Sequence, residues 1–124
     1  MPIDNSYIPP QGAARQFTYA GADVGIPAAT AFLASATANG NLIAGNGAKT
    51  VTVSMTASQA GNLVLTTYLD DAGTVVSETV TTALTAATPG VALTTKPFRT
   101  WKSSYTNTNA AAGTVAVNAA LGQT

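Results

Sequence analysis

The stretch "GNLVLTTYLDDAGTVVSETVTTAL", residues 61–84, decides the fold class. Its first part, "NLVLTTYL", places Leu63, Leu65 and Leu69 on one face of an extended chain, because side chains alternate with a period of two. Its last part, "TVVSETVTTAL", is rich in β-branched residues that suit a pleated surface. Between them stands Asp70-Asp71-Ala72-Gly73. Acidic residues and a glycine between two β-branched runs are hairpin chemistry. The stretch therefore predicts two antiparallel strands and a tight connection.

The same pattern recurs on both sides. In "KTVTVSMTA", residues 49–57, Val51, Val53 and Met55 face one way while Thr50, Thr52, Ser54 and Thr56 face the other. That is a half-buried strand. "TVAVNAAL", residues 114–121, puts Val115, Val117, Ala119 and Leu121 on one face. Asn39-Gly40-Asn41, Gly45-Asn46-Gly47 and Pro89-Gly90 punctuate the chain with residues that tolerate turn conformations. Alanine favours a helix in "AATAFLASATA" and "NAAAGTVAVNAALG", but the interspersed Thr, Val and Gly oppose it. About eight short strands, spaced roughly ten residues apart, point to an all-β fold. The expected form is an antiparallel β-sandwich, jelly-roll or Ig-like.

Residues 1–25 read differently. Pro2, Pro9 and Pro10, with Pro27 beyond, discourage a helix and favour extended backbone. The segment is assigned to an extended N-terminal arm, within which residues 15–20 can form a first strand carrying Phe17 and Tyr19 on one side. Residues 26–124 are assigned to the sandwich domain.

Composition bounds the function. The chain of 124 residues has five basic and five acidic residues, a formal net charge of zero and only 8% charged residues. Soluble domains carry about 25%. A surface so weakly charged is poorly protected against self-association. Five cations balanced by five acids make no strong field for phosphates, so no nucleic-acid partner is expected. No apolar run reaches the roughly 20 residues of a membrane helix, and the N-terminal stretch lacks a signal peptide's apolar core. Synthesis in the cytoplasm and no membrane partner are the expectations.

Catalytic chemistry finds few candidates. There is no histidine and no cysteine, which removes the usual general base, the common nucleophilic arrangements and thiolate metal sites. No serine stands three residues before a lysine. "GNGAKT", residues 45–50, lacks the spacing of a phosphate loop and precedes a strand, so it reads as a turn. Asp70-Asp71 supplies too few oxygens for calcium and reads as a hairpin tip. The expectation is a non-enzymatic protein with no cofactor and no metal.

One crowded place remains. "KPFRTWKSSYTNTN", residues 96–109, holds three of the five cations and the only Trp. Parity along a strand puts Arg99, Trp101, Ser103 and Tyr105 on one face and Phe98, Thr100, Lys102 and Ser104 on the other. Large aromatics dominate burial energetics, so Trp101 and Tyr105 are expected in the core or an interface, with the cations at a rim. The competing reading is an aromatic-plus-cation platform for a sugar or a nucleic-acid single strand.

The hairpin "GNLVLTTYLDDAGTVV", followed by "PFRTWKSSYTNTNAAAGTVAV", resembles small β-sandwich or jelly-roll virion proteins of tailed bacteriophages, over roughly residues 48–121. That group includes head-decoration, cement and fibre-like subunits. The resemblance implies a capsid decoration or cement subunit that stabilises a phage head. Its expected partners are copies of itself, with a trimer favoured, and the major capsid protein or other virion subunits, so its place is the virion. A receptor- or carbohydrate-binding domain of a tail fibre is the alternative. No binding residues carry over. From the arm and the aromatic strand, the candidate interface residues are Ile3, Tyr7, Ile8, Phe17, Phe98, Arg99, Trp101 and Tyr105.

Overall fold

A computed structural model describes residues 18–26, 37–109, 111 and 113–122. Nine strands are present among them: β1 (Thr18–Ala20), β2 (Thr37–Asn39), β3 (Ile43–Ala44), β4 (Thr50–Ala57), β5 (Gly61–Tyr68), β6 (Val76–Leu84), β7 (Gly90–Leu93), β8 (Thr100–Asn107) and β9 (Val115–Gly122). Alternation of small polar and apolar residues sets each long strand's two faces. In β4 every second residue is buried, from Val51 to Ala57, and β9 repeats this from Val115 to Leu121.

The strands form two antiparallel sheets, ordered β1-β9-β4-β7 and β2-β8-β5-β6, with β3 beside β8. Leaving the two-residue β3 aside, the first strand pairs with the last, β2 with β8, β4 with β7 and β5 with β6. These are the nested pairs of one long ribbon folded at the β5–β6 hairpin. Rolling that ribbon brings β4 against β9 and β5 against β8. The fold is a jelly roll, which decides between the two expected sandwich topologies.

The core lies between the sheets. Val51, Val53 and Met55 from one sheet face Leu63, Leu65, Trp101 and Tyr105 from the other, all fully buried. Burying an aliphatic side chain of this size stabilises the fold by about 1.5–3 kcal/mol. Nearly all of the driving force therefore sits in the apolar half of each alternating strand.

Two expectations need correction. The sandwich begins before residue 26: Thr18–Ala20 pairs with Asn118–Ala120, and Tyr19, Val24 and Ile26 are buried. The chain after β1 turns back through Ile26 N–H to Gly21 C=O (2.8 Å), and Asn41 N–H bonds Val24 C=O at 2.7 Å. These contacts stitch residues 18–26 to the sandwich. Leu69 is the second correction, since it is 51% exposed. β5 ends at Tyr68, and Leu69 opens the hairpin connection, its N–H bonding Val75 C=O at 2.8 Å, so strand parity does not govern its side chain.

The hairpin tip is built as its residues suggest. The Asp70 carboxylate accepts bonds from Thr74 N–H (3.0 Å), Val75 N–H (3.0 Å) and the Thr74 hydroxyl, while Gly73 takes φ +71°. A side-chain oxygen closing its own turn is the reason Asp is favoured there. At the other end of the ribbon's width, the edge strands β6 and β7 belong to different sheets. Thr82 Oγ1 donates to Val91 C=O (2.9 Å) and Ser77 Oγ to Pro97 C=O (2.6 Å), which occupies backbone acceptors along β7 and the segment that follows it.

Candidate functional site

The stretch 96–109 splits into a buried strand and an exposed entrance. From Thr100 onward it is β8, the neighbour of β5, β2 and β3. Trp101 is fully buried and meets Tyr19 edge-on, with ring centroids 5.5 Å apart and planes at 78°. Tyr105 is also fully buried, and its hydroxyl donates to Gln59 C=O at 2.8 Å. Both rings are core, as the strand parity indicates. A sugar platform on Trp101 is ruled out by that burial.

Arg99 and Phe98 lie outside the strand. Arg99 is exposed rather than sharing Trp101's inward face, because the strand starts only at Thr100. Its backbone N–H is held by Tyr68 C=O (2.7 Å), and its guanidinium donates to both oxygens of Asp71, at 2.9 and 3.3 Å. Asp71 raises the Arg99 pKa, first by hydrogen bonding and then by charge. Phe98 is half-buried and packs on the margin of the core. Ile3, Tyr7, Ile8 and Phe17 lie outside the described residues.

The turn 45–49 comes to the same place. Pairing of Ile43 with Trp101 and Ala44 with Thr100 lays β3 along the start of β8. Gly45 N–H then bonds Arg99 C=O at 2.7 Å, and Gly45 sits so near the Phe98 ring that a Cβ there would be 2.8 Å from Cε2. Asn46 (φ 53°) and Gly47 (φ 79°) turn the chain into β4. Two hollows result, sharing Phe98 as a wall. One, of about 390 Å³, is lined by Ala48, Lys49 and Thr95 to Phe98. The other, of about 300 Å³, is lined by Ala44, Asn46, Gly47, Asp71, Phe98 and Arg99. Residue pattern identified Phe98 and Arg99 but not Asn46 or Lys49, whose approach depends on long-range strand pairing.

A second feature is a whole sheet face. Outward positions on the β1-β9-β4-β7 sheet follow from its registers: Thr18 beside Ala120, Thr52 and Leu93, and Ala20 beside Asn118, Ser54 and Val91. None of them is charged. Val91 and Leu93 are about half exposed, at 52% and 49%, and a trough of about 400 Å³ runs over the small residues of β9 between β1 and β4. The other sheet differs, since Lys102 stands among its outward residues.

No family model matches this chain, and no curated protein matches it. A solved structure does. The fold is similar to that of PBSX exported protein XepA. The two align with a TM-score of 0.68 and 14% identity, over 86% of this chain and 37% of that one. The chain thus spans little more than a third of XepA's length, and identity this low establishes the shared fold alone.

The carboxylates at this end are expected to make stability depend on acid. Asp70 is held below the usual carboxylate range by the Thr74 hydroxyl and then the Val75 N–H; Glu78 is held low by the Thr95 N–H and then the Thr95 hydroxyl. A depressed folded pKa means that the unfolded chain binds protons first. The stabilisation is therefore complete above about pH 5 and declines as pH falls below about 4. Chemical denaturation across that range should show stability falling with acid. Asp70→Asn together with Glu78→Gln should flatten the decline, and an equally steep acid limb in that double variant would contradict the assignment.

Proposed function

We propose that this chain is a non-enzymatic virion structural protein of a bacteriophage, a decoration or cement subunit that stabilises a phage head by self-association and by contact with capsid protein. The observation that carries the reading is the uncharged outer face of the β1-β9-β4-β7 sheet, with Val91 and Leu93 half exposed on it. An apolar-to-neutral face of this extent suits a subunit interface, because charged residues are depleted at interface cores. It can also meet its own copy without like-charge repulsion. The likeness to XepA, a phage-related exported protein, supports a phage setting. In this reading Ile3, Tyr7, Ile8 and Phe17 add contacts to a neighbouring copy or to the shell.

Light scattering on the purified full chain should report a trimer, and mass analysis of purified particles should find the chain in many copies. A chain that stays monomeric at high concentration and is absent from particles would end this reading. Placing a charge on the face, as in Ser54→Glu, should lower the assembly state while circular dichroism stays that of the parent.

A further inference from the structure

We infer that the paired hollows around Phe98 form a binding site for an acidic carbohydrate, a short glycan bearing a carboxylate. This site is separate from the uncharged sheet face and does not depend on the virion reading.

Its walls are fixed before any ligand arrives. The Glu78 carboxylate accepts bonds from Thr95 N–H (2.9 Å), the Thr95 hydroxyl (2.9 Å) and Lys96 N–H (3.2 Å), which pins the backbone just before Phe98. Ser77 Oγ holds Pro97 C=O at 2.6 Å, and Arg99 N–H is held by Tyr68 C=O. On the opposite wall, Ala48 N–H bonds Gly45 C=O (3.0 Å) and Lys49 N–H bonds Gly122 C=O (2.8 Å). Backbone held on both sides leaves the side chains as the adaptable part, which lowers the ordering cost of binding.

The chemistry of the lining selects the ligand. Lys49 and Lys96 come from different parts of the chain to one hollow. Glu78 accepts the Lys96 N–H and feels the Lys96 charge, and Asp71 matches Arg99, so of these Lys49 is the cation without a described carboxylate partner. Three cations against two carboxylates leave one positive charge over, which favours an anion beside Lys49. Phe98 forms the wall common to both hollows and offers an apolar surface for the C–H face of a sugar ring. Beyond it, the Asp71–Arg99 pair and the Asn46 amide supply acceptors and donors for hydroxyl groups. Hollows of about 390 and 300 Å³ meeting at one ring suit two or three sugar units rather than a long polymer groove. A bare polyanion would use the lysines but not Phe98. A neutral glycan would use Phe98 and Asp71 but leave the lysines idle.

Trigalacturonic acid titrated into the isotopically labelled full chain tests this, with maltotriose and tripolyphosphate as comparison ligands. Amide signals of Asn46 to Lys49 and of Lys96 to Arg99 should shift with the acidic trisaccharide, and binding should weaken as salt rises. Lys49→Gln with Lys96→Gln, which leaves the fold's interior untouched, should abolish the preference for trigalacturonic acid over maltotriose. Phe98→Ala, checked for folding by circular dichroism, should weaken trisaccharide binding by about tenfold or more, a loss of at least about 1.4 kcal/mol. The site is refuted if the acidic trisaccharide shifts none of these signals. It is equally refuted if tripolyphosphate binds as tightly as the trisaccharide, or if the double lysine variant binds as well as the parent.

Discussion

Replacing Trp101 with alanine is expected to destabilise the protein by about 3–5 kcal/mol, the cost of emptying a fully buried aromatic site. The ring is fully buried between the sheets and lies edge-on to Tyr19 at 5.5 Å. Its removal takes away apolar burial, leaves a cavity and dissolves an aromatic pair that by itself contributes about 0.5–1.5 kcal/mol. A domain of this size has about 5–15 kcal/mol in total, so the variant should sit close to unfolding at 37 °C. Urea denaturation followed by far-UV circular dichroism measures the loss, since the only tryptophan is gone. Trp101→Phe refines the test. The buried indole N–H has no hydrogen-bond partner among the described residues, and an unsatisfied buried donor costs about 1–3 kcal/mol. Phenylalanine removes that donor while keeping much of the volume, so its loss should be well below that of alanine. Should Trp101→Ala cost under about 1 kcal/mol, the placement of this ring at the centre of the core is wrong.

Much of this core was legible before any coordinates. Strict alternation in β4, β5 and β9 named Val51, Val53, Met55, Leu63, Leu65, Val115 and Val117, and all are buried. Alternation is reliable here because each sheet has one face on the core, so a single-residue slip would expose the whole apolar set. Where the strand ends the rule failed. Leu69 lies one residue past β5, in the hairpin connection, and is exposed. The alternation of Phe17 and Tyr19 marked a strand over residues 15–20, but nothing local shows that β1 pairs with β9 at the far end of the chain, so residues 18–25 read as arm although Tyr19 meets Trp101.

The topology was beyond local pattern altogether. Jelly roll and Ig-like sandwiches use strands of the same kind, and they differ in which distant strands pair. The β1–β9 and β2–β8 pairs that decide the matter join opposite ends of the chain. The Phe98 site was half legible for the same reason. "KPFR" drew notice by concentrating rare residue types, whereas Asn46 and Lys49 belonged to a turn with no chemistry of its own. Only the β3–β8 pairing brings that turn to Phe98.

Gly61→Ala is the second substitution expected to have a large effect, and it separates lack of space from lack of conformational freedom. Gly61 opens β5, is buried, and is not among the glycines with positive φ. Its backbone shape suits any residue, so the constraint is room. An added Cβ would press on the backbone oxygen of Thr106 and lie 2.7 Å from Cε1 of the Tyr105 ring. Neither neighbour can yield cheaply. Thr106 belongs to β8, which is paired on both sides, and the Tyr105 hydroxyl is tied to Gln59 C=O. Overpacking typically costs about 1–3 kcal/mol and more where backbone must move, so the upper end or beyond is expected. Gly90→Ala supplies the contrast. There the added Cβ meets Cδ2 of Leu84, the far end of a flexible side chain that can change rotamer. Thermal unfolding of the two variants should separate them clearly, with Gly90→Ala close to the parent and Gly61→Ala far below it. Equal losses would mean that β5 and β8 can spread to admit a methyl group, and that the tight approach at Gly61 is not what holds their register.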